Sequence, residues 1–386
     1  MIPIYLDNHA TTPLDPLVLE AMLPYLTDRF GNPSSKTHYY GWEAQAALDQ
    51  SREQIAQILG AEPQEIIFTS GATEANNLAI KGVAEAYLTK GRHFITVQTE
   101  HRAVLAPLQY LESLGFEVTY LPVDGDGLLS PQTLISAIRS DTVLVSVMAA
   151  NNEIGVLQDL TTIGQICKER GVLFHTDAAQ GIGKIPLNVH QMGIDLLSFT
   201  AHKCHGPKGV GGLYVRRKNP RVQIMPQIHG GGQEGDIRSG TLAVHQIVGM
   251  ARALTLAVER QPIEQPAIQR LRDHLWTSIA SLPGIYLNGH PTQRLAGNLN
   301  VSFAGIDGAA LLAELTKEVA LSSGSACSSS SLQPSHVLKA IGRSDKLALA
   351  SLRIGISRFN TQGEIDRVAT LITDTVTKLR EVCKCQ

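Results

Sequence analysis

Ser198-Phe199-Thr200-Ala201-His202-Lys203-Cys204-His205-Gly206-Pro207-Lys208-Gly209 closes the apolar run 194–199 and opens a Gly-Pro turn. An apolar strand that ends in polar groups sets Lys203 at the rim of a sheet. An amine held there, partly out of water, loses proton affinity and gains nucleophilicity. Upstream, Val172-Leu173-Phe174-His175-Thr176-Asp177-Ala178-Ala179-Gln180 reads as a second strand, which delivers a carboxylate to the same rim. A lysine able to form an imine, with an aspartate for a pyridinium nitrogen, is the combination that pyridoxal 5'-phosphate (PLP) requires. Either residue alone reads as an ordinary surface lysine or loop aspartate; two strand ends bearing both do not.

Outward from this stretch, short apolar runs alternate with amphipathic segments between residues 65 and 214. The pattern predicts strands over 65–69, 93–98, 118–121, 143–148, 172–176, 196–200 and 212–215, and helices over 74–88, 104–113, 131–138 and 160–169. Such alternation specifies an α/β fold with a mainly parallel seven-stranded sheet covered on both faces by helices. Residues 242–259 predict a long helix leading out of this domain, and Gln261-Pro262-Ile263-Glu264-Gln265-Pro266 predicts a hinge after it. Beyond, helices over 267–281, 308–315 and 362–381 and strands over 299–303 and 352–356 predict a smaller α+β domain. The chain thus divides into an N-terminal segment, 1–15, packing with the small domain, a large domain, 16–260, and a small domain, 261–386. The small domain carries a mobile loop at 322–331.

Four strand ends converge on the carboxyl edge of the predicted sheet, where ligands of α/β proteins bind. Thr69-Ser70-Gly71-Ala72-Thr73-Glu74 follows a strand and opens a helix. Small residues there let N–H groups approach a phosphate at Ala72 and Thr73, although Ser70 or Thr73 also suits a plain helix cap. His101, in Thr99-Glu100-His101-Arg102, suits stacking on a flat ring and proton transfer, or simply a satisfied polar side chain. Asn152, in Asn151-Asn152-Glu153-Ile154-Gly155, suits a hydrogen bond to a phenolic oxygen, or a turn. Arg353, within Ser351-Leu352-Arg353-Ile354-Gly355, needs an anionic partner; a substrate carboxylate and a structural ion pair compete for that place. Ser322-Ser323-Gly324-Ser325-Ala326-Cys327-Ser328-Ser329 sets one cysteine among small polar residues, which suits a thiol that must travel to a partner.

Of 386 residues, 43% are hydrophobic and 18% charged, and the net charge of −2 gives no general attraction to nucleic acid or anionic membrane. The start lacks the basic region, apolar core and cleavage site of a signal peptide. No apolar run is long enough to span a bilayer. Five cysteines, Cys167, Cys204, Cys327, Cys383 and Cys385, follow no disulfide framework and favour a reducing, cytoplasmic setting. Three other patterns carry little. Gly230-Gly231-Gly232-Gln233-Glu234-Gly235 matches a dinucleotide fingerprint but opens no βαβ unit. His229-Gly230-Gly231-Gly232 imitates an oxyanion loop without any Gly-x-Ser-x-Gly elbow. Cys383-Lys384-Cys385 has no second cluster with which to hold a metal, and no metal site is predicted.

Taken together, these motifs resemble, in order and over nearly the whole length, the NifS/IscS-type cysteine desulfurases, PLP enzymes of fold type I in the class V aminotransferase group. Tyr5-Leu6-Asp7-Asn8-His9-Ala10-Thr11-Thr12-Pro13 and Gly31-Asn32-Pro33-Ser34-Ser35 carry the resemblance at the N-terminal side, and Arg358-Phe359 near the other end. The resemblance implies that Lys203 bonds PLP covalently, Asp177 pairs with its ring nitrogen, and Gln180 meets its phenolic oxygen. Asn152 lies near that edge or the substrate, and His101 stacks on the ring. Thr73, Thr200 and His202, with backbone help near Ala72, hold the phosphate, which Thr241 of a second copy completes, so a homodimer is implied. Arg353, with Asn32, takes the carboxylate of L-cysteine, and Cys327 accepts sulfur as a persulfide for acceptor proteins such as an iron–sulfur scaffold or a tRNA-thiolation carrier. His9 stands where small residues are common, which predicts altered contacts at the mouth of the site. Cys204-His205 replaces an apolar-aromatic pair, Gly235-Asp236 replaces Arg-Gly at a dimer contact, and the chain ends without a long docking tail. Competing functions are another PLP reaction (aminotransferase, selenocysteine lyase or cystine lyase) and a non-enzymatic sulfur carrier using Cys327, Cys383 and Cys385.

Overall fold

The computed structural model describes residues 2–323 and 333–384. A short strand β1 (Ile4–Tyr5) and helices α1 (Pro16–Met22) and α2 (Tyr39–Leu59) lead into the sheet. There follow β2 (Ile66–Thr69), α3 (Ala72–Ala86), β3 (His93–Val97), α4 (Arg102–Ser113), β4 (Glu117–Leu121), α5 (Pro131–Ala137), β5 (Thr142–Ser146), α6 (Leu160–Arg170), β6 (Leu173–Asp177), β7 (Leu196–Thr200) and β8 (Gly211–Val215). The sheet order is β2-β8-β7-β6-β5-β3-β4. Strands β3 to β7 pair in parallel, and β8 runs against both its neighbours. Each predicted strand is present, its ends within two residues of the expected ones.

Neighbouring residues in the central strands point to opposite faces, as a pleat requires. Val145, Phe174 and Leu197 enter one apolar cluster, while Leu144, Leu173 and Leu196 enter another. Helices therefore cover both faces, as a buried parallel sheet demands. Helix α2 was not read from the sequence. Its buried stripe, Ala44, Ala47, Leu48, Ser51, Ile55 and Leu59, is helical in spacing but built largely from small residues. It stops at Gly60, whose φ of 66° closes the last turn in the left-handed region.

The hinge predicted at Gln261–Pro266 is not there: α7 (Val244–Ile279) runs through it as one 36-residue helix with both prolines inside. Each proline removes one helical donor. The carbonyl freed by Pro262 belongs to Val258, which is exposed and so open to water. The first part of α7 buries Ile247, Met250 and Leu254 in one core, and the last part buries Ile268, Leu275 and Ile279 in another. Packing at both ends outweighs the local cost of the prolines.

The second core carries β9 (Ile285–Leu287), β10 (Asn298–Phe303), α8 (Gly308–Leu315), β11 (Val319–Ala320), β12 (Ser322–Ser323), α9 (His336–Ala340), α10 (Asp345–Leu349), β13 (Ser351–Gly355) and α11 (Gln362–Lys384). An antiparallel sheet, β12-β13-β10-β9, forms its centre. The N-terminal strand β1 pairs in parallel with β11, and Leu6 sits in the same apolar cluster. Ser322–Ser323 pair with β13; the rest of the predicted loop, with Cys327, lies outside the described residues, as does Cys385. Among the described residues no helix is long and apolar enough to cross a membrane.

Candidate active site

A cavity of about 540 Å³ opens at the carboxyl edge of the large sheet. Its wall includes Ala72, Thr73, His101, Asn152, Asp177, Gln180, Thr200, His202 and Lys203, all of them read from the sequence as site residues. Ser70, Glu74, Thr11 and Lys208 complete much of the remainder.

Asp177 ends β6, buried on the cavity floor. Asn76 Nδ2 donates to one carboxylate oxygen at 2.7 Å, and the Ala179 N–H donates to the other at 2.9 Å. These two donors fix the orientation of the carboxylate. Two residues back on the same strand, His175 lies between Ser146 Oγ (2.8 Å) and Ser198 Oγ (3.0 Å), hydroxyls of the strands on either side. Complete burial lowers its pKa to about 4, so it is a neutral spacer beneath the floor.

The α3 helix begins at Gly71, with φ of 154° and no side-chain cap on its first turn. A Cβ added to Gly71 would meet only Thr200 Oγ1, 4.0 Å away, so this end is an open cradle facing Thr200. Uncapped N–H groups at a helix start suit a phosphate. Glu74, in the first turn, is drawn away by Arg238, at 2.7 and 3.1 Å, and accepts from the Ser70 N–H at 2.8 Å. Thr200 Oγ1 donates to the Val210 carbonyl at 3.1 Å, and His202 Nδ1 lies 3.1 Å from Thr11 Oγ1. Desolvation, then the lysines Lys203, Lys208 and Lys184, lower the His202 pKa to about 4.

His101 caps α4, its Nδ1 accepting from the Ala103 N–H at 3.1 Å. Burial first, then Lys203, lowers its pKa, so the ring is neutral near pH 7. Behind it Glu100 is fully buried and accepts from the Met148 N–H at 2.5 Å. Desolvation and the neighbouring Asp177 charge push its pKa well above the carboxylate range. The loop bearing Lys203 is gripped by the N-terminal arm. Thr12 donates its N–H and hydroxyl to the His202 carbonyl at 3.0 and 2.8 Å, and its oxygen accepts from the His205 N–H at 2.8 Å. Asp15 N–H donates to the His205 carbonyl at 3.0 Å.

Arg353 stands behind this wall rather than in it. It is 3% exposed and donates to Asp7 Oδ1 at 2.9 Å, to the Asn152 carbonyl at 3.2 Å and to Ser322 Oγ at 3.2 Å. Its anionic partner in the chain is thus Asp7, a residue the sequence reading left unassigned. Asn32 and Thr241 are exposed and outside the cavity wall of this chain. His9 does not stand at the mouth of the site. It is buried, its ring against Gln180, because the arm folds inward to hold the Lys203 loop. Cys204 is a packing residue: its thiol is buried, donates to the Ile182 carbonyl at 2.8 Å, and has a pKa raised by desolvation. Asn76 and Lys184 were also missed. Asn76 lies two residues past the quoted Gly71 motif, on the buried side of α3, and a buried amide is itself a signal for a polar partner.

The arrangement fits PLP. An open helix start faces one end of the cavity, a carboxylate held by two donors lies on its floor, and a lysine and a neutral imidazole flank it. The aminotransferase class-V family model matches residues 4–368. The chain is 53% identical over 381 residues to "Cysteine desulfurase IscS" of Methylococcus capsulatus, covering 99% of this chain and 94% of the relative. Among solved structures, "NIFS-LIKE PROTEIN" superposes with a TM-score of 0.91 at 39% identity, covering 98% of this chain and all of its own. "SspA in complex with cysteine" superposes at 0.82 with 40% identity, covering 93% of this chain and all of its own. With its residues meeting at one cavity and its length matched almost end to end, the chain belongs to the aminotransferase class-V family, among the PLP-dependent cysteine desulfurases.

Proposed function

We propose that this chain draws sulfur from L-cysteine, releases L-alanine, and passes the sulfur on as a persulfide of Cys327. The observation that carries this reading is the convergence of Lys203, Asp177, His101 and the open end of α3 on one cavity. PLP, when bound, supplies an electron sink that acidifies the substrate Cα–H. Asp177 would pair with the ring nitrogen of bound PLP, Gln180 would meet its phenolic oxygen, and Asn152 would lie near that edge or the substrate. Thr73, Thr200, His202 and the Ala72 N–H hold the phosphate. Lys203 Nζ accepts the proton from Cα and returns it, with His101 as the neighbouring proton carrier. Arg353, paired with Asp7 behind the cavity wall, would have to exchange that partner to orient the substrate carboxylate, with Asn32 assisting. Cys327 Sγ, as thiolate, attacks the substrate sulfur, so that the C–S bond breaks and an S–S bond forms.

A homodimer completes the phosphate site through Thr241. Supporting this, Phe30, Tyr39 and Trp42, close in sequence to Asn32, are 67%, 64% and 57% exposed, an aromatic surface suited to a second copy. The acceptors are an iron–sulfur scaffold and, as a second outlet, a tRNA-thiolation carrier, in the cytoplasm. The test is product analysis of the holoenzyme with cysteine and a thiol acceptor. Stoichiometric alanine and a persulfide mapped to Cys327 support the reading. Pyruvate or a keto-acid-dependent amine transfer would assign the site to another PLP reaction. Alanine and sulfide produced undiminished by Cys327→Ala would remove Cys327 from its role.

A further inference from the structure

The turn that carries Asn152 is held from outside the cavity. Its N–H groups are satisfied locally. Asn151 Oδ1 accepts from the Glu153 and Ile154 N–H groups at 2.8 and 2.9 Å, and the Asn151 carbonyl accepts from the Gly155 N–H at 3.1 Å. Its carbonyls instead meet donors of the second core. Arg353 Nη1 donates to the Asn152 carbonyl at 3.2 Å, and Asn298 Nδ2 and Asn300 Nδ2 donate to the Glu153 carbonyl at 3.0 and 3.1 Å. Arg294 Nη2 donates to the Ile154 carbonyl at 2.8 Å, and the Leu295 N–H to the Gly155 carbonyl at 2.9 Å. Successive carbonyls from Asn152 to Gly155 are thus all taken by the second core. Gly155 permits the close approach: its φ is 75°, and a Cβ there would stand 2.4 Å from Asn298 Cγ.

Two relays of side chains end on the Glu153 carbonyl, and each begins at a guanidinium. Arg294 Nη2 donates to Asn298 Oδ1 at 2.8 Å. Arg343 Nε donates to Asn288 Oδ1 at 2.7 Å, and Asn288 Nδ2 donates to Asn300 Oδ1 at 2.8 Å. A guanidinium only donates, so each amide must turn its oxygen back along the relay and its nitrogen forward to the next acceptor. Asn298 and Asn300 lie two residues apart on one face of β10, and both are fully buried, as is Asn288. Arg294 is buried too, and its acceptors among the described residues are neutral: the Ile154, Asn288 and His290 carbonyls and Asn298 Oδ1. A buried cation among neutral oxygens is costly. What it contributes is a rigid fork of donors at the turn.

Asn152 borders the cofactor cavity, and its amide hydrogen-bonds no described residue and is not sealed from solvent. The turn beneath it therefore decides where the amide stands. We propose that the Arg294–Asn298 and Arg343–Asn288–Asn300 relays position Asn152 for cofactor or substrate, so that residues outside the cavity govern one that borders it. The five are positioning residues. That Asn152 serves the reaction rests on the reading proposed above; the grip on its turn does not.

The grip is tested by crystal structures of the holoenzyme. Asn300→Ala is expected to shift the 152–154 backbone by more than about 0.5 Å while the large sheet stays in place; an unmoved turn would overturn the grip. The positioning is tested by a double-mutant cycle on kcat/KM for cysteine. Asn300→Ala is expected to lose about tenfold, roughly one hydrogen bond, in the unaltered background and nothing further in Asn152→Ala. Equal losses in both backgrounds, or no loss in either, would reduce the relays to a structural brace. Arg343→Met keeps the apolar stem and removes the first donor of its relay. About a threefold loss is expected, again absent in Asn152→Ala, and this variant decides alone if Asn300→Ala fails to fold. Unaltered cysteine turnover by Asn152→Ala would strike the role read for Asn152 and the positioning with it, while the crystal comparison still judges the grip.

Discussion

The cavity has two walls that are made rigid in different ways. On the sheet side, Asp177 and Thr200 end strands whose pairing is set by ladders, Asp177 opposite Ser198 and Thr200 opposite Gly211. On the other side, residues 7–15 form turns and irregular chain, held to the Lys203 loop by Thr12, Asp15 and the contact of His205 Nδ1 with the Pro13 carbonyl at 3.0 Å. The first wall is braced by backbone repetition and the second by individual polar contacts. Substitutions on the sheet side should therefore remove chemistry and leave the fold intact, while substitutions on the arm should loosen the fold around intact chemistry.

Lys203→Ala is the largest expected effect: loss of at least about 10³-fold in alanine formation, with no borohydride-trappable PLP adduct and an unchanged far-ultraviolet spectrum. A persistent adduct would move the role to Lys208, which shares the cavity wall. Asp177→Asn comes next, with a fall of about 10²-fold in kcat, since the amide keeps the shape but not the charge. Turnover near that of the unaltered enzyme would dissolve the distinction between the walls. Thr12→Val removes the hydroxyl that joins His202 to His205. It should lower unfolding free energy by about 1–3 kcal/mol in denaturant titration, with a modest change in kcat. A loss of activity without loss of stability would reverse the assignment of the arm.

The smallest effect concerns pH. His175 has a folded pKa of about 4, below the unfolded value of roughly 6.5. The unfolded state binds the proton first, so the stability that the neutral ring contributes is complete above about pH 6.5 and is lost as pH falls toward 4. Over that window His175 adds about 1.4 kcal/mol per pH unit to the slope of stability. His175→Gln should flatten the measured slope by that amount, and an unchanged slope would show that the imidazole is charged inside the sheet.

The same contrast explains what the sequence made legible. Alternating apolar runs encode ladders, so the strands and the residues at their ends, from Thr73 to Lys203, could be read directly. The arm could not, because its partners lie far along the chain: Thr12 with His202, His9 with Gln180, Asp7 with Arg353. No local pattern announces such pairs. His9 was thus placed at the mouth of the site when it belongs to the interior, and the anion beside Arg353 went unnamed. The prolines of α7 misled in the opposite sense, since a strong local signal for a break yielded to burial on either side of it.

That helix has a thermodynamic consequence. At 1.5 Å per residue its 36 residues form a rod of about 54 Å, and each apolar cluster keeps part of the same rod. Neither can melt without exposing the surface its share of the helix covered, so heating should produce one shared calorimetric peak. A backbone nick near Ile263 should split that peak in two.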